Sequence, residues 1–572
     1  MGDVIQYRGP DGQGIYNNTE EGVGLGNQRL AILDIENGDQ PFFSDDGSIV
    51  VVQNGEIFNH VELASELEDL GFPCKTHCDT EVILRLYECN GIEAISKLNG
   101  MFAIAIWDDK LKTMFIVRDR VGEKPLYFGV DNNTTYFGSE IKSILTKMNA
   151  ELDCDSLVSF LSFNYVPMPD TMFKNVKQLK PGHLLKVTQS GVEEVKWWDL
   201  SEIKEIEDKS EADWISEFNQ ILDDAVRIRL RADVPFGAFL SGGVDSSSVV
   251  GFMAKHLVQP VNTYCIGFDD PLYDESPFAQ EAANRFKTKH KTEIVEANLL
   301  KHWPMATYHC DQPHGDVSFL PTYRVAKLAS EDVKMVLTGD GADELFAGYD
   351  KYKSFFSDRT VFECDDESFE EAYAENISLF SQKSLGNLLS ESVKDSLTSS
   401  NSYLLKVRNV LREVPHMDRI NKALYLDTQL LLSGNNLVKP DRMGMAVSIE
   451  NRAPFLDYRM IELAFSMPGS LKLKENETKY IYKKAVSDLI GENLAYRKKQ
   501  MFTVPVGDWF KSTLRHECEE LLLSKRAIER GLFNYDVVDS ILANHCNGSE
   551  NNTREIRALM AVEHWCRAFL DK

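Results

Sequence analysis

The sequence lacks the features that would tie it to a membrane or to secretion. No stretch approaches the roughly 18 consecutive apolar residues of a membrane span. The start, Met1-Gly2-Asp3-Val4, has neither the basic segment nor the apolar core of a signal peptide. Cysteine is sparse, and its ten residues are scattered singly, which is typical of reduced thiols rather than of a disulfide framework. We therefore predict a cytoplasmic protein with no membrane partner.

Basic residues are also in deficit. The chain has 62 Lys and Arg against 89 Asp and Glu, which gives a net charge of −27. An acidic balance of this size argues against nucleic acids and anionic membranes as partners.

Cys74, His77 and Cys78 lie close together, but no second pair follows at the spacing of a zinc site, so zinc is not expected. At 572 residues the chain is too long for one hydrophobic core, and two or more domains are expected.

Residues 1–199 predict an α+β domain with two sheets. Short apolar or alternating runs, separated by Gly, Asp and Asn, predict strands, and two stretches with helical spacing predict helices. The predicted strands are 24–33, 49–53, 101–107 and 113–117, and the predicted helices are 60–70 and 80–88. A charged segment with few apolar residues, 200–212, predicts a linker after this domain.

Residues 213–572 follow a different pattern, in which helices and strands alternate. The predicted elements are helix 213–230, strand 236–240, helix 246–257, strand 262–268, a helix with Ser276 as N-cap and Pro277 as its first residue, helix 318–330 and strand 333–338. This alternation predicts an α/β fold with a doubly wound parallel sheet. From about residue 350 onward the chain predicts a helical extension.

A glycine- and serine-rich loop joins one predicted strand to the next helix. In Leu240-Ser-Gly-Gly-Val-Asp-Ser-Ser-Ser248, two glycines allow a close approach of the backbone to an anion, and the helix N-terminus adds partial positive charge. The sequence has no GxxxxGK[ST] motif. Asp245 inside the loop would be repelled by phosphates unless it holds Mg²⁺, which prefers carboxylate and phosphate oxygens. The alternative is a tight strand–helix turn with Ser as the N-cap.

A second loop, acidic this time, follows the strand 333–338. Thr338-Gly-Asp-Gly-Ala-Asp-Glu-Leu-Phe-Ala-Gly-Tyr349 has three carboxylates within five residues. They stand at the C-terminal end of a parallel strand, where α/β sheets bind ligands. Alone, the loop could be a solvated acidic turn that caps the next helix. Together the two loops predict a site for ATP and Mg²⁺.

Further sequence blocks stand in order along the whole chain. In the C-terminal part they are 338–349, 448–457 (SIENRAPFLD) and 497–505 (RKKQMFTVP), and in the N-terminal part they are 8–12 (RGPDG), 25–30 (LGNQRL), 53–59 (QNGEIFN) and 119–127 (DRVGEKPLY). These blocks resemble the glutamine-dependent asparagine synthetase B family, with a class II glutamine amidotransferase domain first. The SGGVDSS loop resembles the pyrophosphate-binding loop of the ATP pyrophosphatases.

For residues 213–572 the resemblance implies an ATP pyrophosphatase-type synthetase domain. The implied ATP-binding residues are Leu240, Ser241, Gly242, Gly243, Asp245, Ser246, Ile266, Thr338 and Gly339, of which Leu240 and Ile266 would line the adenine pocket. Asp245 and Asp343 would bind Mg²⁺. Asp340 occupies an acidic position tied to the acyl-adenylate step, where some relatives carry Glu. Lys479 would neutralise charge on the transferring phosphate.

For residues 1–199 the resemblance implies an Ntn-type two-sheet sandwich that binds glutamine. The implied glutamine-binding residues are Arg29, Leu30, Ala31, Ile32, Leu33, Asn54, Gly55, Glu56 and Asp79. Arg29 would clamp the substrate carboxylate. Glu56 and Asp79 would bind its α-amino group, and Asn54 with Gly55 would form the oxyanion hole. Without the surrounding blocks, surface polar positions would be the simpler interpretation of these residues.

The start of the chain departs from the family pattern. Class II glutaminases use an N-terminal Cys whose own α-amino group is the base, whereas here Gly2 follows Met1 and the first cysteine is Cys74. Either the start is misplaced or the sequence is a fragment, with Met1 an internal methionine, or the chain is a natural paralogue that uses free ammonia. The glutamine-binding residues favour the first explanation, because an ammonia-only enzyme has no use for them.

The resemblance implies the reaction of L-aspartate, ATP and glutamine or ammonia to L-asparagine, AMP and pyrophosphate through an acyl-adenylate. One alternative is a relative that amidates a sugar uronic acid or another carboxylate, and a second is a non-catalytic binding or regulatory paralogue. The acceptor pocket is expected along 311–322, where Asp316 and Ser318, with Arg324 nearby, could meet the charges of an amino acid. The sequence argues neither for nor against a homodimer.

Overall fold

The structure is a computed structural model that describes residues 1–295, 297–398, 403–498 and 506–571. Its strands are β1 (Gly12–Asn18), β2 (Val23–Arg29), β3 (Phe42–Phe43), β4 (Ile49–Ile57), β5 (Gly100–Asp108), β6 (Thr113–Arg118), β7 (Tyr127–Asp131), β8 (Thr134–Gly138), β9 (Val176–Gln178), β10 (His183–Thr188), β11 (Gly191–Lys196), β12 (Phe236–Phe239), β13 (Asn262–Phe268), β14 (Lys289–Val295), β15 (Met335–Leu337), β16 (Glu450–Arg452), β17 (Leu473–Lys474) and β18 (Glu477–Thr478).

The helices dominate the second half of the chain. The longer α-helices are His60–Asp69, Asp79–Asn90, Cys154–Phe163, Glu211–Arg229, Val244–His256, Ser276–Phe286, Trp303–Cys310, Phe319–Ala329, Asp366–Ile377, Tyr403–Leu411, Arg419–Asp427, Val438–Met445, Tyr458–Ser466, Tyr480–Ile490, Arg515–Leu522, Tyr535–Asn547 and Thr553–Phe569, and a π-helix spans Thr428–Asn436. The shorter α-helices are Ile141–Ile144, Ala342–Leu345, Asp350–Phe356, Thr360–Glu363, Gln382–Leu388, Glu391–Asp395, Glu492–Tyr496, Val506–Lys511 and Lys525–Arg530. Within the described ranges, no helix is both long and apolar enough to cross a membrane.

The N-terminal part is built on a six-stranded antiparallel sheet in the order β11-β10-β6-β5-β4-β3. Successive side chains of a strand point to opposite faces, and both faces of this sheet are covered. Ile49 and Val51 pack towards the helices His60–Asp69 and Asp79–Asn90, while Val50 and Val52 pack in a second cluster with Leu25 of β2. A separate three-stranded sheet, β8-β7-β9, lies beside it. The predicted α+β architecture is therefore confirmed.

The sequence missed or misjudged some elements of this part. The predicted strand 24–33 ends at Arg29, and Leu30 to Leu33 form a loop. The hairpin partner β1, with the sequence GQGIYNN, was not predicted because its glycines and asparagines are typical of turns. The predicted helices 60–70 and 80–88 are confirmed to within two residues.

The C-terminal part contains a five-stranded parallel sheet in the order β14-β13-β12-β15-β16. The chain leaves the central strand β12 towards β13 and β14 on one side, and later fills β15 and β16 on the other. This order confirms the predicted doubly wound sheet. It makes the β12–β15 junction a topological switch point, where such sheets bind ligands outside the carboxyl ends of the strands.

One prediction about a helix start is wrong. Ser276 is the first residue of the helix Ser276–Phe286 and not its N-cap, which is Glu275. Asp274 stabilises the start instead, since its Oδ1 accepts the backbone N–H of Ser276 at 3.0 Å. Pro277 then falls in the first turn, where a missing N–H costs nothing. The helical character predicted beyond residue 350 is confirmed.

A buried network of ions joins the N-terminal and C-terminal parts. We call it the interface network; its members are Arg8, Glu140, Lys142, Asp311, Asp441 and Arg442. Arg8 lies 3.0 Å from Glu140 and 2.9 Å from Asp441. Lys142 pairs with Glu140 and, at 2.7 Å, with Asp311. All six side chains are at most 6% exposed, so each charge depends on its partners for stabilisation.

Candidate active site

The glycine-rich loop runs directly from β12 into the helix Val244–His256, as predicted. Ser241 and Ser246 close the turn: the Ser246 hydroxyl accepts the Ser241 N–H at 3.2 Å, and the two hydroxyls are 3.2 Å apart. Gly243 is the N-cap residue of this helix, and no side chain caps it. Backbone N–H groups at a helix N-terminus with this geometry favour a phosphate or pyrophosphate anion.

The acidic loop lies directly against the glycine-rich loop. It follows β15, which pairs in parallel with β12. A Cβ atom on Gly339 would lie 2.7 Å from the Cβ of Asp245 and 3.0 Å from the Ser246 nitrogen, which is closer than a real side chain allows. Glycine at 339 therefore lets the two loops touch and brings Asp340 and Asp343 close to Asp245.

Lys479 joins the two loops. Its ammonium donates to both carboxylate oxygens of Asp245, at 2.6 and 2.7 Å, and lies 2.7 Å from Oδ1 of Asp343. The side chain is only 3% exposed. A Cβ on Gly348 would lie 1.9 Å from Oδ1 of Asp343 and 2.2 Å from Cε of Lys479. The structure thus brings Asp343 together with Asp245 and Lys479, two residues that are 234 positions apart in the sequence.

The electrostatics of this junction follow from burial and from close carboxylates. Burial alone would lower the pKa of Lys479, but Asp245 and Asp343 outweigh it and raise that pKa. Burial raises the pKa of Asp340, and the carboxylates of Asp245 and Asp343 add to the effect. Asp340 accepts a hydrogen bond from the Thr338 hydroxyl at 2.6 Å. Lys479 is therefore protonated and positively charged, and Asp340 binds a proton more readily than an ordinary Asp.

Two carboxylates that converge on one cation fit a divalent metal. Asp245 and Asp343 share the Lys479 ammonium, and hard carboxylate oxygens beside a phosphate loop are the donors that Mg²⁺ takes. In the part of the chain that the structure describes, no three or more His, Cys, Asp or Glu residues form a metal-binding group. With two protein carboxylates, the remaining Mg²⁺ ligands would have to come from water and the nucleotide phosphates.

The predicted adenine-pocket residues are buried. Leu240 follows β12, where its N–H donates to the carbonyl of Tyr264 at 2.9 Å, and Ile266 lies in the neighbouring strand β13. Their side chains pack in different hydrophobic clusters. The structure therefore places Leu240 just after β12 and Ile266 in the adjacent strand β13, without a shared hydrophobic cluster.

One arginine holds the glycine-rich loop from outside. Arg497 donates through Nε to the carbonyl of Gly242 at 2.9 Å and lies 2.5 Å from Glu275. Its guanidinium also stacks on Phe278, 4.5 Å from the ring centroid. Residues 499–505 of the block that begins at Arg497 lie outside the described residues.

The predicted acceptor wall carries an ion pair that the sequence did not reveal. Lys439 donates to Asp316 at 2.6 Å and to the Ser318 hydroxyl at 3.1 Å. Burial raises the pKa of Asp316, but Lys439 outweighs it and the net pKa is lowered. Arg324, the third candidate, pairs instead with Glu293 at the edge strand β14. No sequence signal marked Lys439, since a lone lysine in a helix is most often solvated.

A second group beside the acidic loop was also missed. Asn436, the last residue of the π-helix, donates to Glu344 at 2.5 Å and lies 2.9 Å from the Tyr349 hydroxyl. Tyr349 donates to the same carboxylate at 2.6 Å. Burial raises the pKa of Glu344, and Asp343 adds to it. Asn435, the neighbour of Asn436 in the chain, contacts His314 at 3.0 Å. The π-helix, a rare form often found at functional sites, thus places the amide of Asn436 beside the acidic loop and the amide of Asn435 beside His314 of the predicted acceptor wall.

The segment predicted to clamp glutamine is folded around Arg29. Its guanidinium donates to the carbonyls of Leu33, Asp34 and Ile35 at 2.8 to 3.1 Å and to Asp39 at 2.9 Å. The intervening residues face the C-terminal part or the loop: the Ile32 carbonyl accepts the Asp233 N–H at 2.9 Å, the Ala31 N–H donates to Asp11 at 2.9 Å, and Leu30 is partly buried. The structure shows Arg29 ordering the loop 30–35.

The other predicted glutamine-binding residues lie at the end of β4 and at the start of the helix Asp79–Asn90. Asn54 donates to the Ser139 hydroxyl at 3.0 Å, and Gly55 and Glu56 follow it in β4. Glu56 is buried and faces Arg452 of the C-terminal part at 3.3 Å. Asp79 accepts the Ile57 N–H at 2.8 Å. Burial raises the pKa of both Glu56 and Asp79.

A small cavity, with about 20 Å³ of room for a water-sized molecule, lies between the two parts of the chain. From the N-terminal part it is lined by Met101, Glu123 and Lys124. The C-terminal part contributes Thr338, Asp340, Leu437, Pro440, Asp441, Asn451 and Ala453. Met101 pairs with Glu56 across β5 and β4. The cavity therefore reaches from the strand beside the predicted glutamine residues to the acidic loop.

The chain is similar to known proteins along its whole length. Residues 217–567 match the asparagine synthase family, and residues 1–198 match a glutamine amidotransferase domain. Asparagine synthetase (glutamine-hydrolyzing) 1 of Bacillus subtilis (strain 168) is 33% identical over 605 residues, which cover 100% of this chain and 93% of that protein. Asparagine synthetase (glutamine-hydrolyzing) 3 of the same organism is 30% identical over 563 residues, covering 91% and 87%. The chain therefore belongs to the asparagine synthase family, and it is a ligase.

Proposed function

We propose that the chain makes L-asparagine from L-aspartate, ATP and ammonia drawn from glutamine, through an aspartyl-adenylate, with AMP and pyrophosphate as products. The observation that carries this proposal is the junction at which Lys479 bridges Asp245 and Asp343, at 2.6 to 2.7 Å, between the two loops at the switch point of the sheet. The names of the B. subtilis relatives support aspartate as the acceptor and glutamine as the nitrogen source.

The first step is adenylation, because a carboxylate does not react with ammonia until it carries a good leaving group. The carboxylate oxygen attacks the α-phosphorus of ATP, and the bond to pyrophosphate breaks. The N–H groups of the glycine-rich loop hold the departing pyrophosphate, and Lys479 neutralises the charge that develops there. Mg²⁺ bound by Asp245 and Asp343 would supply further neutralisation of the phosphates.

The second step is attack of ammonia on the acyl carbon of the adenylate, which expels AMP. The attacking nitrogen must lose a proton as the amide forms. Asp340, beside the two loops and with a raised pKa, is the candidate that accepts it. Because water would hydrolyse the adenylate, ammonia has to reach it by an enclosed route. The cavity lined by Met101 and Asp340 lies where such a route would pass and has room for a molecule of the size of ammonia.

The acceptor wall offers a partner for each charge of an α-amino acid. Lys439 suits an α-carboxylate and Asp316 suits an α-ammonium group, and the two now neutralise each other at 2.6 Å. Asp316 is 35% exposed and Lys439 15%, so both charges of the substrate would be held in a partly buried site, where an unpaired charge is costly. The ten cysteines, all within the described residues, are free, which supports a reducing compartment such as the cytoplasm.

The test is an assay of pyrophosphate release with ammonium salts as the nitrogen source, so that its outcome does not depend on the glutaminase reaction. L-Aspartate is compared with nucleotide-linked uronic acids as the acceptor. We expect release of pyrophosphate and formation of L-asparagine with aspartate and neither with the sugar acids. Release with the sugar acids only would overturn the aspartate assignment and leave the adenylation step standing.

A further inference from the structure

A rigid turn carries two side chains into the cavity between the two parts of the chain. The Asp119 carboxylate accepts four N–H groups that follow it: those of Val121 at 3.2 Å, Gly122 at 2.7 Å, Glu123 at 2.9 Å and Lys124 at 2.9 Å. One carboxylate that satisfies so many backbone donors fixes the turn in one conformation. Glu123 and Lys124 are therefore presented to the cavity by a preorganised backbone.

Glu123 lines the cavity between the two proposed reaction sites. It lines the cavity from the N-terminal side, next to Met101, while Thr338 and Asp340 line it from the C-terminal side. Glu123 is 9% exposed, and neither adenylation nor amide formation as proposed above uses it. A buried carboxyl group on a route for a small neutral molecule has a cost, which suggests a chemical use.

The surroundings of Glu123 make its carboxylate a stronger base. Burial raises the pKa of Glu123 well above the ordinary value, against the lowering effect of Arg229. Asp119 and Asp457 raise it further, and Lys124 lowers it. Asp340 and Asp441 also line the cavity. A carboxyl group in such surroundings accepts a proton more readily than one in water.

We propose that Glu123 takes the proton from ammonium inside this cavity, so that neutral ammonia moves on to the adenylate beside Asp340. In this step one N–H bond breaks, the electron pair stays on nitrogen, and an O–H bond forms on the Glu123 carboxylate. The proton returns to solvent before the next turnover. The inference deepens the proposed function and rests on it, because it concerns the nitrogen of the same amide-forming reaction.

The physical reason is the cost of two charges away from water. Ammonium and a carboxylate side by side in a poorly solvated cavity are both destabilised, and transfer of one proton removes both charges. Only the neutral form has the free electron pair that attacks the acyl carbon. Glu123 therefore acts before Asp340, on the nucleophile rather than on the adenylate.

The test compares Glu123→Gln with Glu123→Asp and with a control, Glu193→Gln, which makes the same change on the exposed strand β11. kcat/KM for total ammonium is measured at saturating L-aspartate and Mg·ATP, from about pH 6.5 to about pH 9. We expect Glu123→Gln to lose about 10²-fold near neutral pH. The loss should shrink as pH rises, because more of the ammonia in solution is already neutral. Glu123→Asp should retain part of the activity and the control all of it.

Aspartate-dependent exchange of pyrophosphate into ATP, measured without ammonia, separates the two proposals. Exchange by the wild type and by Glu123→Gln, with the pH-dependent loss above, supports both. Absence of exchange in the wild type overturns the proposed function and this inference with it. Normal exchange combined with an ammonium kcat/KM that equals the control, or that is reduced equally at every pH, overturns the proton role of Glu123 alone.

Discussion

At the scale of single residues, Lys479 has an unusual backbone and an unusual neighbourhood. Its φ of 56° lies in the left-handed region, which costs a non-glycine residue of order 1 kcal/mol or more. The strain persists because its N–H donates to the Phe346 carbonyl at 3.1 Å while the side chain is held by Asp245 and Asp343. Strain of this kind concentrates at functional sites, in agreement with the role proposed for Lys479.

The carboxylate of Asp245 is the first target for a test at this scale. Asp245→Asn removes the negative charge that would hold Mg²⁺ against the phosphates, so aspartate-dependent pyrophosphate release should fall by roughly 10²-fold or more. The thermal unfolding midpoint should change little, because Lys479 keeps its partner Asp343. Asp269→Asn is the matched control, an exposed Asp just after β13 in the same sheet, and should behave as the wild type. Equal release by both variants would show that the loop has only a structural role.

The residues of the two loops could be predicted from the sequence, but the side chains that contact the acidic loop and the acceptor wall could not. The two loops could be predicted because glycines, serines and acids at strand ends have few other uses, and Lys479 followed from the family resemblance. Lys439 and Asn436 could not be predicted, since each meets its partner only through a long-range contact: 123 residues separate Lys439 from Asp316, and 92 separate Asn436 from Glu344. Arg324 looked suitable by type, but its partner Glu293 lies on a strand that the sequence did not reveal.

At the scale of elements, length alone did not decide which strands could be predicted, since β1 and β14 have seven residues each and were both missed. β16 has only three residues and β15 another three, too few for an alternating pattern to appear. β15 could be predicted because its apolar residues lie between a predicted helix and the acidic loop. β16 was not, although it extends the parallel sheet and brings Glu450 and Arg452 to the interface. The π-helix has no sequence signature, because its hydrogen bonds differ from those of an α-helix by one residue only.

Close approach between elements makes Gly348 essential at this scale. In Gly348→Ala the new methyl group would meet Asp343 and Lys479 at about 2 Å, so the pair has to separate. We expect aspartate-dependent pyrophosphate release to fall at least about tenfold, and stability to fall by about 1–3 kcal/mol. The measurements are the release assay and urea unfolding.

Gly386→Ala is the control for that experiment. It lies in the helix Gln382–Leu388, with nothing within 4 Å of the new methyl group. Because alanine favours a helix more than glycine does, this variant should be more stable by about 0.5–1 kcal/mol and fully active. A Gly348→Ala variant that is as active as Gly386→Ala would contradict the close packing of Asp343 and Lys479.

At the scale of the whole molecule, charged contacts connect the predicted glutamine residues to the synthetase site. Glu56 faces Arg452, and Arg452 donates to Glu450 at 2.8 Å. Lys124 lies 3.9 Å from both Glu450 and Asp441, and Asp441 continues into the interface network. Sequence patterns suggested two parts joined by a linker but gave no sign of these contacts, because isolated charged residues are usually solvated. The buried charges of each part therefore depend on the other part for their partners.

Glu140 at the centre of the interface network gives the test at this scale. It lies 3.0 Å from both Arg8 and Arg442 and also pairs with Lys142. Burial raises the pKa of Glu140, but Lys142, Arg442 and Arg8 outweigh it, and the net pKa is lowered below its ordinary value of 4.5. Glu140→Gln leaves three buried cations short of a partner, so the free energy of unfolding should fall by roughly 3–5 kcal/mol at neutral pH.

The pH dependence and an exposed control distinguish this effect from a general loss of charge. A carboxyl group whose folded pKa is lowered stabilises the fold above its unfolded pKa, and that contribution is lost as pH falls through the folded pKa. The difference between wild type and Glu140→Gln should thus be constant from neutral pH down to the ordinary pKa of 4.5 and narrow below it. Glu62→Gln breaks another pair between the two parts, 2.6 Å from Arg231 but half exposed, and should cost at most about 1 kcal/mol. Urea unfolding at several pH values measures both. Equal costs for the two variants would show that burial of the network contributes nothing to holding the two parts together.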